Sequence, residues 1–414
     1  MSMRIAHFVQ RYPPALGGSE AYFARLSRFL AAAGERVAVF TTAALDLEAF
    51  WSPRGRCLPA GTAIENGVEV RRYPLWRWRG RRYLLKPLSL LPHRLWQCLT
   101  LPCSPIAWPM WRDAGRSDPP FDVVHATAFP YGWPIACGLR LARRQGVPFV
   151  LTPFLHLGDI DDPHDRTRRA YTAPPFRFLL RSADLVLAQT ELERAALRQL
   201  GVAEEKILLQ GMGVDLAECT GGDRRRARRE WDVGDEEVVL GHLANLSEEK
   251  GGVDLLRAAA IAWRNGDRFR LVLAGPEMPN FQRFWSRYPC AERVRRLGVL
   301  SAEQKRDFFA GIDLFALPSR SDSFGLVLLE AWANGVPCIG YRAGGVAEVI
   351  RHEETGLLVR CGDVEGLAAA IGALARDGER RRRLGAAGQQ RTRRECRWED
   401  KLRLVQEVYR RLRR

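Results

Sequence analysis

A repeated alternation of short apolar runs, glycine turns and amphipathic helical stretches constrains this chain more than any other feature. Arg4 to Gln10 is an apolar run consistent with a buried strand, and it leads through Pro13-Pro14-Ala15-Leu16-Gly17-Gly18 into a helical pattern with Tyr22, Phe23, Leu26, Phe29 and Leu30 apolar. Gly34 is a natural stop, and Val37-Ala38-Val39-Phe40 reads as the next strand. Strand, crossover helix and strand make a parallel, right-handed unit. The alternation recurs at Val123-Val124, Phe149-Val150-Leu151 and Leu185-Val186-Leu187. A second set follows at Val238-Val239-Leu240, Leu271-Val272-Leu273, Leu314-Phe315-Ala316 and Pro337-Cys338-Ile339. Between the sets, Cys219 to Arg229 turns to Gly-Gly-Asp and then to arginines, as a connection between domains would. The expected fold class is α/β: two doubly wound, Rossmann-like lobes facing across a cleft, with ligands at the carboxyl ends of the strands. The domains expected are 1–218 and 219–395, followed by a helix in 396–414. A length of 414 residues suits two or three domains. With 46% apolar and 27% charged residues, wholesale disorder and a disulfide-stapled miniprotein are both excluded.

From Arg71 to Arg112 the alternation fails. The segment holds Trp76, Trp78, Trp96, Trp108 and Trp111, many basic residues, and no Asp or Glu. Tryptophan and arginine among apolar neighbours suit a membrane interface or a lipid acceptor. Aromatic and basic mixing also suits single-stranded nucleic acid, and a helix pair capping the first sheet accounts for the same residues. Lys and Arg number 64 against 48 Asp and Glu, so 64 − 48 gives a net charge of +16, which favours anionic partners but is also what a soluble arginine-rich surface carries. Nine cysteines are scattered without a Cys-x-x-Cys pair or a histidine at zinc spacing, so a reducing, cytoplasmic compartment and no metal are expected. The start of the chain lacks the apolar core of a signal peptide. Leu95 to Trp111, the longest uncharged stretch, is interrupted by Pro102, Pro105 and Pro109 and is too short to span a bilayer.

Two segments carry candidate chemistry. Gly17-Gly18 sits at a strand-to-helix turn, where free amides and the positive helix end can hold an anion, although any tight turn can require glycine. In Leu317-Pro318-Ser319-Arg320-Ser321-Asp322-Ser323-Phe324-Gly325-Leu326-Val327-Leu328-Leu329-Glu330, two acids stand eight residues apart between a strand end and an apolar helix. With Asp322 on the loop and Glu330 two turns into the helix, about 12 Å would separate them at roughly 1.5 Å per residue. Each could then reach one end of an extended ligand, with amides near Ser323, Phe324 and Gly325 offered to phosphate oxygens. A solvated helix face bearing two acids remains the plain alternative.

These motifs resemble those of the family-4 glycosyltransferases, retaining enzymes of the GT-B fold with a Glu-x7-Glu pattern in the C-terminal lobe. The likeness extends through Pro14-x-x-Gly17-Gly18-Ser19-Glu20, Gly211-Met212-Gly213-Val214-Asp215, Asn245-Leu246-Ser247-Glu248-Glu249-Lys250-Gly251 and Gly344-Gly345-Val346-Ala347-Glu348-Val349-Ile350, followed by Thr355-Gly356-Leu357-Leu358-Val359. The resemblance implies that Glu330 accepts hydrogen bonds from the donor ribose. It places Asp322, one methylene shorter than the family's usual Glu, near the donor sugar. Lys250 matches the lysine on the donor pyrophosphate, where a cation stabilises charge building on the leaving nucleotide. Gly345 and Val346 match the loop approaching phosphates and sugar. Asn245 stands where the family often has Arg, so one pyrophosphate cation is missing: either Arg320 or Arg342 supplies it from a nearby loop, or the donor binds with fewer charges. His156 falls where the family places a cleft histidine, within a residue or two. His125, after Phe121-Asp122-Val123-Val124, is open between a functional and a structural role.

The activity implied is retaining transfer of a sugar from a nucleotide-diphosphate donor to a glycan or lipid-linked acceptor. Neither cofactor nor metal is expected, peripheral contact with an anionic membrane at its inner face is, and nucleic acid is not. By the same resemblance the helix of Trp398 to Tyr409 crosses back onto the first lobe. The rival readings are a sugar-nucleotide epimerase or hydrolase on the same fold, and a non-enzymatic binder of anionic surfaces.

Overall fold

Each apolar run of the sequence becomes a strand of one of two sheets. The computed structural model describes residues 2–116 and 119–413. It forms two units, Met1–Leu155 with Arg169–Gln210 and Leu402–Arg414, and His156–Arg168 with Gly211–Lys401. The boundary expected at 218 therefore falls at Gln210, and the Gly-Gly-Asp stretch read as a connection lies inside the second unit. Residues 156–168 also belong to that second unit, and the terminal segment joins the first from Leu402, not 396.

The first unit's sheet contains β1 (Arg4–Val9), β2 (Arg36–Thr42), β3 (Gly61–Glu65), β4 (Val68–Tyr73), β5 (Val123–Ala126), β6 (Phe149–Leu151), β7 (Leu185–Ala188) and β8 (Ile207–Leu209). Their order is β3-β4-β2-β1-β5-β6-β7-β8. All neighbours are parallel except β3 and β4, which pair antiparallel through the turn Asn66-Gly67. Both turn residues have positive φ, 50° and 77°, as a two-residue hairpin turn needs. Arg71–Tyr73 end strand β4 in register with β2, so the interruption of the pattern begins after Tyr73. The helices are α1 (Gly18–Ala32), α2 (Arg81–Leu88), α3 (Arg94–Thr100), α4 (Trp108–Asp113), α5 (Gly132–Gln145), α6 (Arg166–Tyr171), α7 (Pro174–Ser182) and α8 (Glu191–Gln199).

The second unit's sheet is parallel throughout: β9 (Val239–Leu243), β10 (Arg270–Ala274), β11 (Val294–Arg296), β12 (Leu314–Leu317), β13 (Cys338–Tyr341) and β14 (Gly356–Val359), in the order β11-β10-β9-β12-β13-β14. Before, between and after them run α9 (Leu216–Cys219), α10 (Arg224–Trp231), α11 (Gly252–Arg264), α12 (Pro279–Trp285), α13 (Ala302–Gly311), α14 (Leu326–Ala333), α15 (Val346–Val349), α16 (Val364–Arg376), α17 (Gly378–Glu395) and α18 (Trp398–Leu412), the last belonging to the first unit from Leu402 onward. Leu240, Leu271, Leu273 and Ile339 of the sheet pack with Leu255 and Leu256 of α11 and Leu367 and Ile371 of α16. The order reverses at β9, which lies between β10 and β12; the carboxyl ends of β9 and β12 therefore border a topological switch point, where open α/β sheets bind ligands.

In the first unit a buried polar chain ties α18 to the sheet. His7 meets Ser27 Oγ at 2.8 Å and Tyr409 Oη at 3.3 Å, while His125 meets Tyr409 Oη at 2.5 Å and Thr152 Oγ1 at 2.7 Å. His125 is thus a satisfied core residue, which decides between its two readings. Burial pulls His7 down to about 3 and His242, on β9, down to about 4; burial, aided by His7, holds His125 well below the ordinary 6.5. The unfolded chain takes up these protons near pH 6.5 and the folded chain does not. Their contribution to stability is therefore intact above that pH and is lost as the pH falls toward 4. A thermal melt followed by circular dichroism should be flat above about pH 7 and fall steeply below about pH 6, by up to roughly 3 kcal/mol at pH 4 for each fully buried imidazole. Tyr409→Phe leaves both imidazoles short of a partner and should cost about 1–3 kcal/mol in chemical denaturation.

Candidate functional site

Three loops at the carboxyl ends of β9, β12 and β13 converge. The loop from Asn245 to Gly251 is pinned to the one after β12: Arg320 N donates to Glu249 O at 2.9 Å, and Ser319 Oγ to the same oxygen at 3.3 Å. Gly251 has φ 81°, and a Cβ there would lie 2.0 Å from Pro318 O, so only glycine permits this approach. The loop after β13 closes in the same manner. Gly344, at φ 48°, leaves 2.1 Å between a notional Cβ and Asp322 O, and Gly345 N donates to that carbonyl at 2.8 Å. Gly344 N also donates to Gly158 O at 2.7 Å, which brings the 156–168 segment to the site.

These contacts assemble Lys250, Ser321, Asp322 and His156. Lys250 Nζ donates to Asp322 Oδ2 at 2.8 Å and to Ser321 O at 3.3 Å, which leaves one of its three N–H donors for a ligand. Burial pushes the Asp322 carboxyl up, but the Lys250 charge, the adjoining His156, the Lys250 hydrogen bond and the Phe324 amide outweigh it, so the group stays below its ordinary range and ionised. His156 Nδ1 lies 2.9 Å from Ser321 Oγ. Burial, reinforced by the Lys250 charge, lowers its imidazole to about 4 and keeps it neutral near pH 7. The site thus presents a cation, a carboxylate and a neutral imidazole within one cluster.

Residues 323–325 are not helical. Gly325, at φ 83°, caps α14, and Glu330 is its fifth residue, so the second acid lies little more than one turn into the helix, not the two turns expected. Lys305 of α13 donates to Glu330 Oε1 at 2.5 Å, while Oε2 is buried without a protein partner. A carboxylate oxygen so placed is costly unless something else donates to it. Val346 is fully buried, with its methyls facing Gly340 and Gly325, and the Gly345 amide is taken by Asp322 O. That loop therefore supplies shape, whereas its glycine amide is committed to the protein.

Asn245, Ser247, Glu249, Lys250, Asn280 and Arg283 line a cleft of about 460 Å3 beside this cluster. Asn245 is exposed there. Of the two arginines considered as its substitutes, Arg320 is held by buried Asp254, through Nε at 3.0 Å and Nη2 at 2.5 Å, and Arg342 reaches Asp161 at 3.2 Å. Besides Lys250, the cleft with Asn245 is lined by Arg283, on α12, which sequence reasoning missed because no motif surrounds it. A larger cleft of about 830 Å3 lies at the amino ends of β9 and β10, the end of the sheet at which such folds do not place ligands. Among the described residues no three His, Cys, Asp or Glu side chains are grouped to hold a metal ion.

Gly17 and Gly18 belong to the first unit, at the turn from β1 into α1. Gly17 is the N-cap and its notional Cβ would lie 2.2 Å from the Glu20 carboxylate. Glu20 is itself paired with Arg11 at 2.7 Å and accepts from Ser19 Oγ at 2.8 Å. The Glu20 carboxylate, paired with Arg11 and Ser19, thus lies against this helix start.

Residues 17–213 match the glycosyl transferase 4-like domain, and residues 223–391 match glycosyl transferases group 1. The chain is 31% identical over 397 residues to a D-inositol 3-phosphate glycosyltransferase of Kribbella flavida, covering 90% of this chain and 85% of that one. It is 37% identical over 164 residues to the N-acetyl-alpha-D-glucosaminyl L-malate synthase of Bacillus anthracis, covering 39% and 42%. In fold it is similar to a sucrose-phosphate synthase from Thermosynechococcus elongatus (TM-score 0.74, 22% identity, 99% of both chains). It is also similar to Anabaena HepE, solved in complex with UDP-glucose (TM-score 0.71, 20% identity, 98% of this chain and 99% of that one).

Because Gly251 combines a positive φ with backbone contact, Gly251→Ala should destabilise the second unit by about 2 kcal/mol or more, read as a shift of the denaturation midpoint. Gly18→Ala, whose notional Cβ meets nothing within 4 Å, should leave the midpoint almost unchanged.

Proposed function

We propose, for a chain that belongs to the family-4 glycosyltransferases of the GT-B fold, transfer of a sugar from a nucleoside-diphosphate donor to a small hydroxylated acceptor with retention at the anomeric carbon. The observation that carries it is the grouping of Lys250, Asp322 and His156 at the switch point, one helix away from the unpaired Glu330 oxygen. The diphosphate is met by the remaining Lys250 donor, by Arg283 and by the start of α14. Glu330 Oε2 accepts from a pentose hydroxyl while Lys305 holds the other oxygen in place.

As the bond from the anomeric carbon to the phosphate oxygen breaks, its electron pair leaves with the diphosphate and positive charge builds on the sugar. The Asp322 carboxylate is suited to face that charge, and a neutral His156 adds no competing cation. The acceptor oxygen bonds to the same face, and its proton passes to the departing phosphate. No covalent nucleophile is assigned. A small acceptor replaces the lipid-linked one expected from the tryptophan-rich segment: the two curated relatives are named for an inositol phosphate and for malate, both compact, hydroxylated and anionic.

A panel of nucleotide sugars, read by released nucleotide with and without D-inositol 3-phosphate or L-malate, tests the reaction. Nucleotide release that ignores every acceptor would make the protein a hydrolase, and an inverted anomeric coupling in the product's proton spectrum would remove retention. Lys250→Ala should lower turnover more than about tenfold through lost charge stabilisation. Arg283→Ala should act on donor KM by about three- to tenfold with less effect on kcat. Lys305→Met should likewise raise donor KM several-fold, with Lys305→Arg restoring it; equal KM for all three would detach Lys305 from the donor.

A further inference from the structure

Eleven large apolar side chains are exposed among the described residues, and seven of them fall between Trp78 and Trp108: Trp78, Tyr83, Leu84, Leu90, Leu91, Trp96 and Trp108. This is not a loosely folded segment. The inner face of α2 is anchored by Arg81, whose guanidinium is buried and donates to Ser104 O at 2.8 Å and Pro102 O at 3.2 Å, and by buried Leu85. Gln97, Cys98 and Thr100 bury the inner face of α3, and Trp96 Nε1 donates to Leu88 O at 3.0 Å, closing α3 onto the end of α2. The outward face is therefore held out by structure. On it Tyr83 is 84% exposed, Leu90 76% and Trp78 51%, where a monomeric protein would keep most such area covered.

Around this face Arg79, Arg82, Lys86 and Arg94 are all exposed, with Arg82 over the Trp51 ring at 3.9 Å and Arg94 donating to Gln97 Oε1 at 2.9 Å, and no acid occurs anywhere from Arg71 to Arg112. An apolar ridge of leucines at the α2–α3 corner, aromatic rings beside it and cations around it match the layers of a bilayer surface. Leucines enter the acyl boundary, tryptophan and tyrosine rest at the glycerol level, and long basic side chains reach anionic headgroups. Charge argues against the other occupants. In a twofold contact between copies, four cations of one would meet the same four of the other with no acid to separate them. Single-stranded nucleic acid would satisfy the cations but would leave Leu84, Leu90 and Leu91 without a base to stack on them.

We infer that the outward face of α2 and α3, centred on Tyr83, Leu90 and Leu91, docks the enzyme onto an anionic membrane surface. No described helix is long and apolar enough to cross a membrane, so this contact lies in the interface. It is independent of the donor chemistry and of which acceptor is used.

The full chain, sedimented at low salt with vesicles of phosphatidylcholine and phosphatidylglycerol in equal parts, should partition to the pellet. With phosphatidylcholine alone the affinity should drop at least about tenfold, as the electrostatic attraction is removed. Tryptophan emission should shift to the blue on binding. The double variant Leu90→Asp with Leu91→Asp, altered only at exposed positions, should keep its melting temperature and lose about tenfold or more in vesicle affinity. A triple variant Arg79→Ser, Lys86→Ser, Arg94→Ser should bind more weakly and with a shallower salt dependence. Failure of the wild-type chain to sediment with anionic vesicles overturns the proposal, as does undiminished binding by the double variant. A dimer in sedimentation velocity that the double variant abolishes would assign the face to a second copy. Displacement from vesicles by an oligonucleotide at lower concentration than lipid would assign it to nucleic acid.

Discussion

The ion pair between Lys250 and Asp322 is the interaction on which the rest of the second unit's ligand face depends. It is partly buried, and Lys250 Nζ is held by the Asp322 carboxylate and by Ser321 O while it still borders the cleft. Burying one of these charges without the other costs several kcal/mol. The pair therefore sets the mutual position of the loops after β9 and β12. Once those are fixed, Gly344 and Gly345 can close over the Asp322 carbonyl and carry Gly158 and His156 into place. The pair also settles protonation: the lysine keeps the acid ionised and, after burial itself, keeps the histidine neutral.

The same ledger of charges explains how a protein with so many arginines keeps so few of them for its ligand. Arg320 neutralises buried Asp254, Arg228 bonds four carbonyls and Asp313, and Arg342 reaches Asp161. Each is spent on making a loop or helix end fit its sheet. Arg283 and Lys250 are the cations that line the cleft with Asn245. The acid-free stretch from Arg71 to Arg112 holds another share of the excess within the first unit.

The sheets were legible because their strands are continuous apolar runs, which is how buried parallel strands read. What escaped was the antiparallel edge of the first sheet. Ile64 of β3 is exposed and Val68, Glu69, Val70 and Arg71 of β4 alternate, so neither strand reads as a buried run, although Asn66-Gly67 is a strong hairpin signal in its own right. The limits of the units were misplaced for a different reason. The stretch 156–168 is rich in Asp, at 159, 161, 162 and 165, but that composition does not say which unit it joins, and it joins the second through hydrogen bonds that exist only after folding, such as Gly344 to Gly158 and His156 to Ser321.

By itself the sequence determined the class of fold and most of the parallel strands, because periodicity is a local property of the chain, and its resemblance to a known family singled out Lys250, Asp322, His156 and Glu330. It also determined that the tryptophan-rich segment would be basic without relief. Tertiary structure decided which cation accompanies Asn245, where α14 begins relative to its two acids, that the Gly345 amide is consumed, that Lys305 steadies Glu330, and that the leucines of the α2–α3 corner face outward. Those outcomes depend on which backbone groups find partners and which side chains find space, and that is settled only when segments distant in sequence are packed together.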